Sequence, residues 1–444
     1  MTWIGLDDTD SVAGMCTTFL AAEVARRSGW DLLALPRLVR LNPNIPWKTR
    51  GNGALALRLG RGRGPSIVIG ELAGKEMIAF QRGRPAPPKE ALRTVAAVVE
   101  DLAELDAPGT NPGVFAAERR PRERLYREAV KDIVPLRTAR QRARGGLWRT
   151  WGDGRGLIGA VAATAWRPRD RTYEVIAYRE RARWGTPRDI DAEGVRRLDR
   201  RFPETFNNYD PEAGRPVIAP RSPCPILFGI RGDRPERLPE AMRSLGGERP
   251  AGWLTFLTNQ GTDDHLIRRP RGLRRGTSVV LDGTVASPPR WTVGGHVVFA
   301  LKGNLSAECV AYEPSKGFRH AVAALAEGDR VSVCGAVRDR PLTVNLEKLR
   351  VRRTAPVRLK VANPVCACGD RMKSAGRGEG YRCPECGSAA PQEAATWIDV
   401  PRTIAPGWYE PPVGSRRHLS KPLKRMGARH PVMVRISIPC GSTK

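Results

Sequence analysis

The chain has 444 residues, of which 41% are hydrophobic, so it is long enough to bury more than one core and we expect several domains. Lys and Arg number 75 against 46 Asp and Glu, which gives a formal net charge of +29. Such an excess indicates a polyanionic partner, nucleic acid rather than an anionic membrane surface, although a general arginine bias explains part of it. No apolar run approaches the ~20 residues of a membrane helix, so we expect no membrane span.

The N-terminus and the cysteines predict a cytoplasmic protein. Residues 1–10 run directly into a predicted strand and acidic residues, without the pattern of a signal peptide. Of the nine cysteines, four cluster in residues 366–386 and five are scattered. An odd and mostly dispersed set argues against a disulfide framework and for a reducing compartment.

The first 235 residues predict mixed α and β structure. Hydrophobic periodicity indicates helices at residues 17–27, 89–105, 122–134 and 192–201. It indicates strands at residues 2–6, 32–35, 39–41, 54–59, 66–69, 157–163 and 173–178, with a polar loop at residues 42–53. The alternation from residue 118 onwards predicts an α+β domain.

Residues 274–352 predict a small β-barrel. Five strands are indicated at residues 277–285, 296–301, 308–312, 330–337 and 342–351, with one helix at 317–326. A single helix between the third and fourth of five strands is the order of an OB-fold, a common nucleic-acid-binding barrel. Another small β-barrel or a sandwich is the alternative.

Three carboxylates, those of Asp7, Asp8 and Asp10, follow the first predicted strand. The carboxyl edge of such a sheet collects ligands, and Mg²⁺ prefers carboxylate and phosphate oxygens. Gly14 then leads through Thr17 into a helix whose N-terminal N–H groups suit a phosphate. The pattern therefore predicts a nucleotide and metal site, with simple capping of a turn as the alternative.

A basic, glycine-bearing loop is the second candidate for phosphate binding. Lys48 and Arg50 carry positive charge, while Gly51 and Asn52 follow in a stretch where the backbone can come close to a ligand. Such loops are common in an arginine-rich chain, so this signal is weak alone. The sequence contains neither a Walker A motif nor a Gly-x-Ser-x-Gly elbow.

The clustered cysteines predict a zinc site. Cys366-x-Cys368 and Cys383-x2-Cys386 place two thiolate pairs across a glycine-rich loop, which suits tetrahedral Zn²⁺. So small a segment lacks a core, and the metal would stabilise it. The first pair has one intervening residue rather than the usual two, and unrelated free thiols are the alternative.

The C-terminal region is rich in basic and aromatic residues, a composition typical of RNA contact. A solvated, disordered tail is the alternative. The candidate RNA-binding residues are Arg416, Arg417, His418 and Lys421.

An ordered set of motifs resembles the archaeal tRNA-isoleucine agmatinylcytidine synthetases. The opening Gly5-Leu6-Asp7-Asp8-Thr9-Asp10-Ser11 is similar to the start of that family. Further blocks of similarity follow in order over the whole chain, at residues 14–18, 44–52, 155–160, 223–232, 258–263, 311–314, 316–319, 345–348 and 372–376. Ala13 and Met15 depart from the glycine-richer loop expected there.

The resemblance implies a multidomain α+β fold whose parts fit the division made above. It implies a kinase-like α/β domain (1–117), a ferredoxin-like domain (118–240), an OB-fold (241–358), a zinc ribbon (359–395) and a basic tail (396–444).

The resemblance also implies a reaction, in which ATP is consumed to AMP and agmatine replaces the C2 oxygen of the wobble cytidine in the CAU anticodon of isoleucine tRNA. Thr18 would be autophosphorylated, and the three aspartates would handle Mg²⁺ and phosphates. Asp210 is the candidate partner for the agmatine guanidinium. ATP, Mg²⁺ and Zn²⁺ are the expected cofactors, and we expect a monomer.

Two other functions compete with this one. A non-catalytic nucleic-acid-binding factor would explain the charge, the barrel and the cysteines, but not the acidic opening or the basic loop. A cytidine-lysinylating enzyme would make the same decoding change. That class uses a Ser-Gly-Gly-x-Asp-Ser loop, which the sequence lacks.

Overall fold

The computed structural model describes residues 2–428 and Pro431. The remaining residues of the predicted tail lie outside the described part. The helices are Thr17–Arg27, Pro88–Leu102, Arg124–Ala129, Leu136–Arg142, Gly156–Ala165, Ala192–Arg201, Leu238–Arg243 and Gly317–Ala323. None of the helices in the described residues has the length and apolar character needed to cross a membrane.

One eleven-stranded sheet runs through the first 258 residues. Its main path contains, from one edge to the other, Leu147–Thr150, Gly113–Ala117, Thr2–Asp7, Gly53–Leu72, Arg37–Arg40, Gly252–Thr258, Thr172–Tyr178, Ile226–Gly232 and Thr205–Phe206. Asp31–Leu32 and Lys75–Pro85 pair beside this path. The predicted strands 54–59 and 66–69 are one long strand, and Gly252–Thr258, expected with the barrel, lies inside this sheet.

Helix Gly156–Ala165, which we call the glycine helix, packs directly on the backbone of strand Thr2–Asp7. A methyl group at Gly5 would collide with the carbonyl oxygen of Ala160, and one at Gly159 would collide with Oδ2 of Asp7. The prediction of a strand at residues 157–163 is therefore wrong. An almost wholly buried helix has no polar face, so its sequence lacks helical periodicity and resembles a buried strand.

Other predicted helices and strands are confirmed, some with the predicted bounds and some with different ones. Helices 17–27 and 192–201 are confirmed to the residue, and helix 89–105 is Pro88–Leu102. The predicted helix 122–134 is shorter, because Arg124–Ala129 ends before a turn. Strand 173–178 is Thr172–Tyr178.

A closed five-stranded barrel follows, as predicted. Its strands are Ser278–Val285, Val297–Gly303, Ala307–Ala311, Arg330–Asp339 and Leu342–Arg353. The first strand pairs with the second and the fourth, the second with the third, the third in parallel with the fifth, and the fourth with the fifth. Helix Gly317–Ala323 stands between the third and fourth strands, where the sequence placed it.

The cysteine-bearing segment is a small β-structure beyond the barrel. Strands Val357–Ala362 and Thr396–Val400 pair with each other, and three two-residue strands lie between them. Residues 396–400, expected in the tail, therefore belong to this paired ribbon.

The rest of the tail, as far as Ala428, folds back over the molecule. Strand Gly407–Tyr409 pairs with the last barrel strand, and Tyr409 is buried in the barrel core. Trp408 and Tyr409 belong to the C-terminal region whose composition suggests RNA contact, and they form part of this strand instead.

A buried ion pair joins the barrel to the large-sheet body. Nζ of Lys348, in the last barrel strand, lies 2.6 Å from Oδ2 of Asp263, and the side chains are 1% and 8% exposed. The backbone N–H of Lys421 donates to Oδ1 of the same aspartate. Two sequence blocks 85 residues apart and the tail therefore meet at one carboxylate.

Removing the cation of this pair should destabilise the protein. Lys348→Met leaves the Asp263 carboxylate buried without its cation, which costs about 3–5 kcal/mol in the free energy of unfolding. Lys302→Met, at an exposed position of the same barrel, should change it by less than about 1 kcal/mol. Urea unfolding of both variants checks this, and equal effects of the two would contradict it.

Candidate active site

One cavity brings together most of the predicted catalytic and nucleotide-binding residues. It is lined by Asp7, Asp8 and Asp10, by Thr17, and by Lys48, Arg50 and Asn52 of the basic loop. The two predicted phosphate-binding segments, 40 residues apart in sequence, thus face each other. We call this space the acidic cavity.

Asp10 ties the basic loop to the start of helix Thr17–Arg27. Its Oδ1 accepts hydrogen bonds from the backbone N–H of Thr17 at 2.6 Å and from the Thr17 hydroxyl at 2.9 Å. The same oxygen lies 2.8 Å from Nη2 of Arg50, which also donates to the carbonyl of Met15. Asp10 therefore holds the basic loop against the start of this helix, and Arg50 is paired with a carboxylate.

Asp7 and Asp8 place two half-buried carboxylates next to each other. Burial and the adjacent Asp8 carboxylate raise the pKa of Asp7 well above its ordinary value. Burial raises the pKa of Asp8 to about 7, although Arg155, 3.3 Å away, opposes the rise. Asp8 also has a φ of 58°, a conformation that side chains other than glycine rarely adopt. Crowded, half-buried carboxylates of this kind are stabilised by a cation.

The basic loop carries the other wall of the acidic cavity. Nζ of Lys48 donates to the carbonyl of Pro43, and burial lowers the pKa of Lys48. Asn52 has a φ of 48° and donates to the carbonyl of Asn42 at 2.8 Å. Trp47, 51% exposed, and Ile133, 39% exposed, add apolar surface to the same cavity.

Thr18 lies in a second cavity behind the Asp10–Arg50 pair. Its hydroxyl is 3.2 Å from Sγ of Cys16, and its carbonyl accepts a hydrogen bond from Tyr178. Glu174 and Arg231, 3.0 Å apart, line the same space. The two cavities share Asp10, Thr17 and Arg50 as a wall, and Thr18 faces only the second of them.

A basic groove adjoins these cavities. It is lined by Arg40, Lys48, Arg50, Arg221, Arg417 and His418, with Gly51 at its floor. Arg40 lowers the pKa of His418 well below its ordinary value, so the ring is neutral near pH 7. Arg416 also lines the groove, so the predicted tail residues 416–418 lie beside the predicted phosphate loop.

The tail's basic side chains, however, are largely engaged within the protein. Arg416 lies 2.9 Å from Glu410, and Arg417 lies 2.9 Å from Glu347. Lys421 pairs with Asp170 at 2.9 Å. The structure therefore places these charges in ion pairs that hold the tail down.

Two other predicted site residues lie apart from the acidic cavity. Asp210 is 2% exposed, and its carboxylate accepts hydrogen bonds from the backbone N–H groups of Glu212, Ala213 and Gly414. Gly14 packs against the carbonyl of Pro223 and has a φ of 156°. Asp210 thus anchors a turn to the tail.

Sequence reasoning assigned no role to several residues of these cavities. They are Arg40, Asp132, Arg155, Glu174 and Arg231. Arg155 carried the clearest signal, because it opens the Arg155-Gly156 block and the glycines of that block allow the helix to approach Asp7. Arg231 lies in the similar block at residues 223–232, while Arg40, Asp132 and Glu174 come from segments with no local motif.

The four clustered cysteines converge as predicted. Their Sγ atoms all lie within 4.8 Å of one another, with Cys366 3.4 Å from Cys386 and Cys368 3.4 Å from Cys383. The backbone forms a tight turn after each pair. The N–H of Gly369 donates to the carbonyl oxygen of Cys366, and the N–H of Gly387 donates to the carbonyl oxygen of Cys383. Four thiolates in this arrangement fit tetrahedral Zn²⁺, and the shortened first pair does not prevent the convergence.

Three family models match successive parts of the chain: the TiaS TCKD domain at residues 3–151, the TiaS FLD domain at 154–265 and the TiaS C-terminal zinc ribbon domain at 363–404. The isoleucine-tRNA 2-agmatinylcytidine synthetase TiaS of Methanocaldococcus jannaschii is 37% identical, covering 96% of this chain and 98% of its own. That of Methanosarcina mazei is 38% identical, covering 95% and 97%.

Solved structures agree over the whole length. The complex of TiaS with isoleucine tRNA and ATP has a TM-score of 0.83 at 36% identity, covering 98% of this chain and 99% of that one. The complex of TiaS with isoleucine tRNA, AMPCPP and agmatine has a TM-score of 0.81 at 34% identity, covering 98% and 99%.

The fold and the cavities define a multidomain α+β protein with a barrel, a zinc ribbon and an acidic cavity beside a basic groove. The similarity is full-length and not confined to one domain. The chain belongs to the TiaS family of isoleucine-tRNA 2-agmatinylcytidine synthetases.

The cysteine cluster should bind one zinc ion per chain. Cys383→Ser removes a buried ligand and should abolish zinc binding, because three thiolates leave the tetrahedral site incomplete. Cys334→Ala, at a buried cysteine of the barrel, is the control and should retain the metal. Elemental analysis of the purified variants measures the stoichiometry, and full zinc content in Cys383→Ser would refute the assignment.

Proposed function

We propose that this chain joins agmatine to C2 of the wobble cytidine in the CAU anticodon of isoleucine tRNA, using ATP. The observation that carries the proposal is the acidic cavity, where three aspartates and the start of helix Thr17–Arg27 face a basic loop. Relatives solved with isoleucine tRNA, ATP and agmatine share 34–36% of the sequence over the whole chain. The product tRNA would read AUA instead of AUG.

The residues of the acidic cavity fit a nucleotide with Mg²⁺. Asp7 and Asp8 are adjacent, half-buried carboxylates with raised pKa values, and they would hold the metal. Bound there, Mg²⁺ would neutralise charge on transferring phosphoryl groups. Trp47 and Ile133 offer apolar surface to the adenine, and Lys48 is the cation of this wall without a carboxylate partner among the described residues.

Thr18 is proposed as the residue that accepts a phosphoryl group, on the resemblance and on its place next to Thr17. The Asp10–Arg50 pair separates its cavity from the acidic cavity, and Asp10 orients Thr17 by two hydrogen bonds. The cytosine C2 oxygen is a poor leaving group until it is phosphorylated. ATP supplies one phosphoryl group to this oxygen and one to the Thr18 hydroxyl, which leaves AMP. Agmatine nitrogen then forms the C2–N bond as the C2–O bond breaks, phosphate departs with the oxygen, and the amine proton passes to solvent. Hydrolysis releases the group on Thr18 as phosphate.

The basic groove supports the approach of the anticodon. Its positive side chains Lys48 and Arg221 would contact phosphates, while the target base leaves the stack to reach the cavity. The carboxylate of Asp210 already accepts hydrogen bonds from backbone N–H groups. Glu174, near Thr18, is therefore the better candidate to bind the agmatine guanidinium, although it also pairs with Arg231.

The domain assignment follows from the family models and the sheet pairing. We propose a kinase-like domain at residues 3–151, a ferredoxin-like domain at 154–265, an OB-fold barrel at 266–356 and a zinc ribbon at 363–404. The cytoplasmic location and the monomeric state stay predictions.

The reaction is tested by mass spectrometry of isoleucine tRNA carrying the CAU anticodon, after incubation with protein, ATP, Mg²⁺ and agmatine. The wild type should add agmatine at the wobble cytidine, and omission of agmatine should prevent the gain. Thr18→Ala should reduce product to background while tRNA binding persists, because the phosphoryl acceptor is gone. Thr94→Ala, at an exposed helical threonine, is the control and should behave as the wild type.

Two outcomes would contradict this function. If the wild type binds tRNA without changing its mass, the non-catalytic binding factor replaces the enzyme. If Thr18→Ala forms product at the wild-type rate, the proposed reaction is supported but the proposed role of Thr18 as phosphoryl acceptor is wrong.

The glycine helix should control the position of Asp7. Gly159→Ala places a methyl group where Oδ2 of Asp7 lies, so the carboxylate must move by about 1 Å or more. A displacement of this size should lower the rate of agmatine incorporation by about 100-fold. Gly272→Ala, where an added methyl group meets no atom within 4 Å, should leave the rate unchanged. Equal rates in the two variants would show that Asp7 needs no such positioning.

A further inference from the structure

Three arginine side chains converge on one tryptophan ring outside the cavities described above. The Cζ atoms of Arg37, Arg58 and Arg120 lie 4.5, 5.5 and 5.6 Å from the centroid of the Trp3 ring. They come from two strands of the large sheet and from the turn that follows strand Gly113–Ala117. Trp3 is buried and the arginines are half-buried, so the guanidinium groups form the outer layer. We call these three residues the arginine cluster.

The charges of Arg37 and Arg120 are poorly compensated. Within the part of the chain that the structure describes, neither Arg37 nor Arg120 forms an ion pair, and Nη1 of Arg37 donates to the carbonyl of Trp166 at 2.8 Å. Glu123, three residues after Arg120, pairs instead with Arg127 at 2.8 Å and with Arg169 at 3.2 Å. Burial and the neighbouring Arg120 lower the pKa of Arg37 to about 10. Like charges held this close are stabilised by an anion.

The stacking on Trp3 organises these groups in advance. A guanidinium group over an indole face gains cation–π energy and leaves its edge N–H groups available for hydrogen bonds. The carbonyl of Trp166, at the C-terminal end of the glycine helix, orients Arg37 in addition. Since the arginines cover the ring, Trp3 offers no free face for stacking with a base. Phosphate oxygens are the ligands that such a set of forked donors matches.

The arginine cluster lies on the same face of the sheet as the acidic cavity. Trp3 and Asp7 are four residues apart on one strand, so their side chains share a face about 13 Å apart. The glycine helix covers the strand between them, so the acidic cavity lies at the N-terminal end of this helix and the arginine cluster at its C-terminal end. A polynucleotide that contacts both sites must pass around the helix.

We propose that the arginine cluster binds phosphate groups of the tRNA backbone, as a contact separate from the acidic cavity and the basic groove. The inference rests on the proposed function only in taking tRNA as the polynucleotide. Such contacts are independent of sequence, so they add affinity and register rather than anticodon selectivity.

The test measures the Kd of an isoleucine tRNA transcript with the CAU anticodon over a series of KCl concentrations. Arg120→Gln and Arg37→Gln should each weaken binding several-fold and reduce the slope of log Kd against log salt by about one. A tRNA transcript of different sequence should lose the same factor. Arg243→Gln is the matched control, because Arg243 stacks at 5.3 Å on the ring of Trp253 at an exposed site and should leave the slope unchanged.

Each other outcome overturns the inference. An unchanged Kd and salt slope in Arg120→Gln, with an unaltered melting temperature, would refute the phosphate contact. A raised KM for ATP with normal tRNA binding would assign the cluster to a nucleotide instead. If Arg37→Gln does not fold, Arg120→Gln still tests the inference, because Arg120 lies on a surface turn. Agmatine incorporation by the same wild-type preparation is measured separately. If no agmatine is incorporated, the proposed function is wrong, while the salt dependence of Kd still tests the phosphate contact of the arginine cluster.

Discussion

The site depends on backbone-to-backbone contact between the glycine helix and the strand that ends at the acidic carboxylates. Gly5 and Gly159 leave no room for a side chain at this contact, and Gly113 and Gly156 leave none between the helix and the neighbouring strand Gly113–Ala117. The contact brings Arg155, immediately before the helix, to 3.3 Å from Asp8. It also confines Asp7 against Gly159, where burial raises its pKa. The close packing of this helix therefore raises the pKa of Asp7 and places Arg155 beside Asp8.

A second constraint is the convergence of separate segments on a few buried charges. Asp263 accepts contacts from Lys348 of the barrel and from the backbone of Lys421 in the tail. Glu347, beside Lys348, lies 2.8 Å from His265 and 2.9 Å from Arg417. The tail therefore closes over the joint between the body and the barrel, and residues 416–418 are held at the rim of the basic groove. Some basic side chains that the composition assigns to RNA binding therefore form ion pairs that hold the tail, the barrel and the body together.

The sequence was most informative where local chemistry dictates structure. The strand, turn and helix around Asp7, Asp8 and Asp10, the order of the barrel and the cysteine convergence are all local patterns, and the structure matches them. The glycine helix was assigned wrongly because a helix buried on all sides loses its amphipathic period. The pairing of Arg50 with Asp10 and the placement of Thr18 in a second cavity were not predictable, since they depend on how distant segments pack.

The distribution of positive charge explains why composition alone could not identify the RNA-facing surface. Arg416 and Lys421 are neutralised within the protein, so their density in the sequence overstates the charge that they offer to RNA. Arg37 and Arg120 stand far apart in sequence and form no motif, yet they meet over Trp3 with no carboxylate paired to either in the described structure. Affinity for a polyanion depends on cations whose charge is uncompensated in the folded state. Residues scattered in sequence but clustered and unpaired in space are therefore better candidates for RNA contact than a basic run whose charges are already paired.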